Sequence, residues 1–249
     1  MTSSQQPPIY CISSGKGGVG KTTCSVNIGT ALAQKGVKTL IIDGDLGLGN
    51  VDVALGLQVS HTIRETVELG RDIKTVLLPV MENLTVLPAS SGVPEMAGIS
   101  KEEQLFLTSM LDTIINRFDV VLVDSAAGIG DSVLWFSQWA TQYIIVITPD
   151  PTSLTDGYAL MKVLSSRYGK KKFQLIVNNV KSQKEGMDTS KSIGAVLEQF
   201  LGLTPELLGV LPKDNQVVQA IRKQTPFLLN TPDCRAAKEI RRIADKLTP

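Results

Sequence analysis

Among 249 residues there is one histidine, His61, and there are three cysteines, Cys11, Cys24 and Cys234. The cysteines are far apart, odd in number and form no C-x-x-C, which removes a disulfide framework, a zinc knuckle and a redox pair, and fits a reducing cytoplasm. Histidine acid–base chemistry would rest on His61 alone, which opens a polar-to-helical stretch and reads as a solvent-facing helix cap. No sign of charge dominates: 25 Lys and Arg stand against 24 Asp and Glu, a net +1, so global charge does not drive nonspecific nucleic-acid binding. No apolar run approaches the ~20 residues of a membrane span. Residues 1–8 have neither the basic nor the apolar region of a signal peptide. Hydrophobic residues at 43% and charged residues at 20% are ordinary for a globular protein. The length suits one α/β domain and is short for two, so the expectation is a flexible tail over 1–8 and a single domain over 9–249.

Against this plain background one stretch stands out. An apolar strand from Ile9 runs into Gly15-Lys-Gly-Gly-Val-Gly-Lys-Thr-Thr23. Gly15, Gly20, Lys21 and Thr22 fit the phosphate-loop pattern G-x-x-x-x-G-K-[ST]. Glycines let consecutive N–H groups turn inward on an anion, and the helix that starts at Lys21 aims its positive end at the same place. Lys21 would reach the β- and γ-phosphates and the Thr22 hydroxyl would ligate Mg²⁺. Gly15, Gly17 and Gly20 also satisfy the dinucleotide fingerprint G-x-G-x-x-G, with Asp43 at the distance of a ribose-binding acid. Lys21-Thr22 separates the two, because a dinucleotide helix has no use for a lysine and a hydroxyl there. Lys16 is unusual: a second cation in the loop is repelled by the first unless polyphosphate is present, and it could contact phosphates held by a second subunit.

Strands and helices alternate along the chain. Strands are expected at 9–14, Val37–Ile42, Leu84–Pro88, Asp119–Val123, Tyr143–Thr148, Phe173–Val177 and Leu207–Leu211. Helices are expected at Lys21–Gln34, His61–Leu69, Lys101–Phe118 behind the Ser100/Glu103 capping box, from Asp131 or Ser132 through Trp139, Leu154–Tyr168, Ile193–Leu201, Asn215–Gln224 and Arg235–Leu247. The fold class is therefore α/β, a doubly wound, mainly parallel sheet with helices on both faces. In such a sheet ligands sit beyond the carboxyl ends of the strands, where Asp43, Asp45 and Asp124 join the glycine loop. Asp124 fits a Mg²⁺-organising acid, Asp45 a residue that orients the attacking water, and Asp43 lies on the Thr22–Mg²⁺ side.

Lys16-Gly-Gly-Val-Gly-Lys-Thr22 resembles the deviant Walker A motif of the MinD/ParA class of P-loop NTPases, whose lysine at this position is the signature lysine. Asp43-Gly-Asp45-Leu-Gly-Leu-Gly-Asn50 resembles the switch I region of MinD-like proteins. Ser90-Ser-Gly-Val-Pro-Glu-Met96, Asp124-Ser-Ala-Ala-Gly-Ile-Gly-Asp131 and Pro151-Thr-Ser-Leu-Thr-Asp156 look most like the flagellar branch called FlhG, FleN or YlxH. The resemblance covers about residues 8 to 247. It implies an ATP-driven homodimer in which two subunits sandwich two ATP molecules with Mg²⁺. Lys16 would act in trans, and Gly15, Lys16, Gly17, Gly18, Val19, Gly20, Lys21, Thr22 and Thr23 would cradle phosphates. Asn50 would lie near the nucleotide, and Asn178 in Ile176-Val-Asn178-Asn179-Val would read adenine. Pro212 and Asp214 would form the second base-side loop. GTP is normally read by an N-K-x-D motif, and the chain has none.

The implied function is an ATPase switch for flagellar number or placement. Its implied partners are an FlhF-type GTPase, a flagellar transcriptional activator or a switch-complex protein. The N-terminal D-Q-A-x-x-L-R element with which such proteins stimulate FlhF does not occur, which counts against that route. The alternative is a cell-division or partition ATPase acting on membrane or DNA. Arg235–Leu247 is amphipathic enough to lie on the inner face of a cell membrane, but its small apolar residues fit a helix docked on its own core better. Lys170-Lys-Lys172 reads as a solvated loop, and no sequence-specific nucleic-acid binding is expected. A carboxylate-activating ligase lacks a second domain here, an iron–sulfur ATPase lacks its cysteines, and an NAD oxidoreductase rests only on the weaker fingerprint.

Overall fold

The structure, a computed structural model, describes residues 6–90, 92 and 98–248. Eight strands form one sheet: β1 (Ile9–Ser14), β2 (Thr39–Gly44), β3 (Leu78–Met81), β4 (Leu84–Leu87), β5 (Val120–Ala127), β6 (Gln142–Ile147), β7 (Gln174–Val180) and β8 (Glu206–Pro212). Their order is β3-β4-β2-β5-β1-β6-β7-β8, parallel throughout except for β3 on β4. The helices are α1 (Lys21–Gln34), α2 (Val51–Leu55), α3 (Ile63–Leu69), α4 (Lys101–Asp112), α5 (Asp131–Trp139), α6 (Pro151–Tyr168), α7 (Gln183–Leu201), α8 (Asn215–Arg222), α9 (Phe227–Asn230) and α10 (Arg235–Leu247).

The central strands are apolar on both faces because both faces are covered. Along β1, Ile9 and Cys11 join a core with Phe136 of α5 and Leu160 of α6, while Ile12 joins another with Val26 of α1 and Ile240 of α10. β2 repeats the alternation: Leu40 and Ile42 enter the first core, Ile41 the second. The doubly wound architecture follows, and β1 ends in the middle of the sheet with its loop between β5 and β6.

Several boundaries differ from the sequence expectation. β2 starts at Thr39 and runs on through Asp43 and Gly44, so Asp43 is a strand residue paired with Asp124. The helix expected over 101–118 stops at Asp112, where Thr113 and Ile114 close i→i−3 bonds and a 3-10 turn, Ile115–Arg117, leads to extended Phe118. α7 begins ten residues before Ile193. Its first turns are polar and carry no apolar period, but Ser182 caps it by accepting from Glu185 N at 3.1 Å. α6 begins at Pro151 behind the cap Asp150 rather than at Leu154. β3, α2 and α9 are too short to show a period. Thr62, not His61, caps α3 in a capping box with Glu65, and His61 Nδ1 lies 3.7 Å from Glu65. Pro7 is buried and Pro8 O accepts from Val121 N at 3.0 Å. Residues 1–5 of the expected tail and most of the 90–96 motif lie outside the described residues.

α10 buries Ala236, Ile240, Ile243, Ala244 and Leu247 against α1 and β8, and Lys246 Nζ donates to Leu208 O at 2.9 Å. Each isoleucine gains about 2 kcal/mol from that burial, so the apolar face considered for a membrane is part of the core. Among the described residues no helix is long and apolar enough to cross a membrane.

Candidate nucleotide site

The carboxyl edge of the sheet gathers the phosphate loop, the turns that follow β2 and β5, and the ends of β7 and β8. Gly20 takes φ 95°, a left-handed conformation, and a Cβ there would meet Asn178 Nδ2 at 2.3 Å. Gly15 passes so close to α6 that a Cβ would lie 2.1 Å from the Asp156 backbone. α1 then starts at Lys21 with no side-chain cap and no acidic residue in its first turn. Its leading N–H groups are thus left for an anion at the loop.

Lys21 is buried, and burial lowers its pKa against the pull of Asp124 and Asp45. Thr22 Oγ1 lies 2.7 Å from Asp124 Oδ2 and 2.9 Å from Asn50 Oδ1. Ser25 Oγ donates to the other Asp124 oxygen at 2.8 Å. Burial raises the Asp124 pKa to about 6, against the hydrogen bonds from Thr22 and Ser25 and the charge of Lys21. Burial and then the Asp124 charge raise Asp43 to about 7. Two buried carboxyls on neighbouring strands, one within reach of a threonine hydroxyl, are short of positive charge, and a hard cation with oxygen ligands fits them. Among the described residues no group of three His, Cys, Asp or Glu side chains could hold a metal ion alone. A Mg²⁺ ion would therefore be shared with phosphate oxygens and water, as its chemistry favours.

Asp43 does not reach this position freely. Its Oδ2 accepts from Asn50 N at 2.8 Å and Val51 N at 3.0 Å, and its Oδ1 from Asp45 N at 3.1 Å. It fastens the 45–51 turn, so both oxygens of the carboxylate expected on the metal side already accept backbone hydrogen bonds. Asp45 is half-buried at the mouth of the site, with Leu48 N 3.3 Å from its Oδ1.

Lys16 turns away from its own loop. Its Nζ lies 3.3 Å from Asp150 Oδ1 and also bonds Thr152 Oγ1, at the cap of α6. The same Asp150 oxygen accepts from Thr152 N at 2.9 Å and Ser153 N at 3.2 Å. The hydrogen bonds from Thr152 and Ser153 and the ammonium of Lys16 hold its carboxyl down at about 2.

On the side where a base is expected, Asn178 Nδ2 donates to Val19 O at 2.7 Å, tying β7 to the phosphate loop. A cleft opens there, lined by Val19, Thr23, Asn178, Pro212, Asp214 and Ile221 among others. Asp214 also caps α8 by accepting from Gln216 N at 2.9 Å. Gly15 to Thr23, Asp45, Asn50, Asp124, Asn178, Pro212 and Asp214 thus meet along one edge. The sequence did not single out Ser25, Cys24 in the base-side cleft, or Asp150. Ser25 could have been found, since it lies one helical turn beyond Lys21 on the phosphate-loop helix.

A family model described as an AAA domain (AAA_31) matches residues 8–177. The antiactivator FleN of Pseudomonas aeruginosa is 36% identical over 96% of this chain and 85% of its own length. The flagellum site-determining protein YlxH of Helicobacter pylori is 30% identical over 95% of this chain and 80% of its own. Among solved structures, the MinD cell division protein of Aquifex aeolicus superposes with a TM-score of 0.80 at 28% identity, covering 96% of both chains. The lysine pair, the carboxylate edge and these relatives agree: the chain belongs to the AAA_31 family and, within it, to the MinD-like P-loop NTPases of the FleN and YlxH branch.

Proposed function

We propose that the protein is a Mg²⁺-dependent ATPase switch that dimerises on ATP and regulates flagellar number or placement. The observation that carries the reading is the division of labour between two lysines. Lys21 is sunk in its own site, and Lys16 is held outside it, available to a facing subunit. In the proposed cycle the loop amides and Lys21 hold the phosphates, while Thr22 and Asp124 would hold Mg²⁺, which would neutralise charge as ADP departs. Asp45 orients water. Lys16 leaves Asp150 and Thr152 to stabilise charge on the partner's nucleotide. Asn178, Pro212 and Asp214 hold adenine. The flagellar part of the proposal is supported by likeness to an antiactivator and to a flagellum site-determining protein. Its partner would be a flagellar transcriptional activator, a switch-complex protein or an FlhF-type GTPase.

Size-exclusion chromatography with light scattering, on wild type and Asp45→Ala with and without Mg-ATP, tests the switch. A Mg-ATP-dependent dimer, more persistent in Asp45→Ala, is expected; a monomer of Asp45→Ala under saturating Mg-ATP defeats it. Deletion in the source organism should change flagellar number or position, and unchanged flagellation with altered septum placement would favour a division role.

A further inference from the structure

Beneath the phosphate loop runs a chain of buried polar groups with no part in the nucleotide chemistry above. Cys11 and Ser13 lie on β1, Ser125 on β5 and Ser137 on α5, and none is more than 2% exposed. Ser125 Oγ donates to Ser13 Oγ at 2.9 Å, Ser13 Oγ lies 3.1 Å from Cys11 Sγ, and Cys11 Sγ lies 3.7 Å from Ser137 Oγ. Cys11 belongs to the core that holds Val123, Val133 and Phe136, and Ser13, two residues on, shares its face. An unpartnered hydroxyl in such surroundings is costly, so the chain persists whole or rearranges as a unit.

Its position is specific. β1 and β5 pair in register up to Ile12 and Asp124, then resume at Ser14 and Ala127. Ser13 therefore faces two residues, Ser125 and Ala126, a bulge near the end of the acid-bearing strand, just before the 128–130 turn. One step further, Gly128 N donates to Ser14 O at 2.9 Å. The chain so joins the two elements flanking that turn, β5 through Ser125 and α5 through Ser137, to the strand that carries the phosphate loop.

At its loop end the chain has one direction, since Ser125 Oγ donates to Ser13 Oγ and has Ala126 O 3.0 Å away, while the Ser13–Cys11 and Cys11–Ser137 contacts admit either donor. Burial pushes the Cys11 thiol up, so it keeps its hydrogen in either case.

We propose that Ser13 and Ser125, backed by Cys11 and Ser137, are positioning residues that set the end of β5 and the 128–130 turn against the phosphate loop. The inference rests on the ATPase reading above. The protein carries its own reporter. Its two tryptophans, Trp135 and Trp139, are both on α5, and their indoles donate to Thr108 Oγ1 and Asp112 Oδ1 of α4, each at 3.1 Å.

Steady-state ATP turnover, tryptophan emission on Mg-ATP addition and thermal melting are measured for wild type, Ser13→Ala, Ser125→Ala, their double variant, Ser137→Ala and Ser125→Cys. Expected for Ser125→Ala are a kcat about tenfold lower, a KM for ATP within about twofold of wild type, and loss of the ATP-induced emission change. The double variant should be no worse than the single, because the two hydroxyls act as one unit. Ser137→Ala, farther from the loop, should lose about two- to threefold, and Ser125→Cys should regain most of the loss. An unchanged kcat in Ser125→Ala overturns the inference, as do losses that add in the double variant or that merely follow the melting temperature. A wild type with no turnover overturns the ATPase reading first and this inference with it.

Discussion

Lys21 and Lys16 are five residues apart and live in different electrostatic worlds. Lys21 is buried, its pKa lowered by desolvation, with Asp124 and Asp45 as its nearest counter-charges. Lys16 has a side chain 41% exposed and pairs with Asp150, itself 51% exposed. An exposed ion pair is worth little and breaks readily, whereas a buried cation is fixed by its surroundings. The difference teaches how, in the proposed dimer, one loop would serve two subunits. On the proposed reading the inner lysine would stay with its own nucleotide, and the outer one, held by a weak contact at the cap of α6, would be given to another.

The largest expected effect comes from the inner residue. Lys21→Ala should lower turnover by about 10²–10³-fold, the usual cost of removing a pre-placed charge from a phosphoryl-transfer site, and should weaken ATP binding in equilibrium titration. Lys16→Ala should lower turnover by about 10²-fold while leaving ATP affinity of the monomer near wild type. If both variants lose binding equally, the comparison between the lysines fails. Mixing sharpens it. Lys16→Ala and Asp45→Ala should each turn over poorly alone, but a heterodimer has one site with its own Asp45 and the other subunit's Lys16. Equal mixing with free exchange should restore about a quarter of wild-type activity, since half the dimers are mixed and each holds one complete site. No recovery on mixing would place Lys16 in its own site.

Both lysines were legible in the sequence because a glycine loop has a fixed spacing and needs no tertiary information. The parallel sheet was legible too, since strands buried on both faces are near-continuous apolar runs, as β1, β2 and β5 are. What escaped was set by contacts between distant segments. The grip on Lys16 comes from Asp150 and Thr152, more than 130 residues away, and Asp150 on its own reads only as a turn or cap. Asp43 escaped for a related reason. Its place beside the loop was right, but nothing in Asp43-Gly-Asp45 tells that the carboxylate folds back onto the amides of Asn50 and Val51. The polar first half of α7 hid because its helix is specified by a cap rather than by a period.

A milder change loosens the outer lysine alone. Asp150→Asn keeps the cap, since asparagine serves as well there, but removes the charge that holds Lys16. Turnover measured at limiting protein should rise about two- to fivefold, because the lysine is released to the other subunit at less cost. Thermal melting should be nearly unchanged. A fall in turnover would mean that Asp150 guides Lys16 into place instead of holding it back.

The smallest effect separates the two environments by the sign of their pH dependence. Asp43 and Asp124 titrate at about 7 and about 6, above the ~3.9 of a free aspartate, so the folded chain binds these protons more tightly than the unfolded chain does. Their contribution to stability is fully present below about pH 3.9 and is lost as pH rises through about 6 to 7. Asp150 is displaced the other way, to about 2, so its contribution is present above about pH 3.9 and is lost as pH falls through 2. Melting temperatures of the nucleotide-free protein should therefore decline from about pH 4 to about pH 7. Asp43→Asn should flatten that decline, and Asp150→Asn should leave it untouched. Mg-nucleotide should stabilise the wild type most at the upper end of the window, where both carboxylates are charged and a cation relieves their repulsion. A decline of the same size in Asp43→Asn would show that the inner carboxyls are not the groups being titrated.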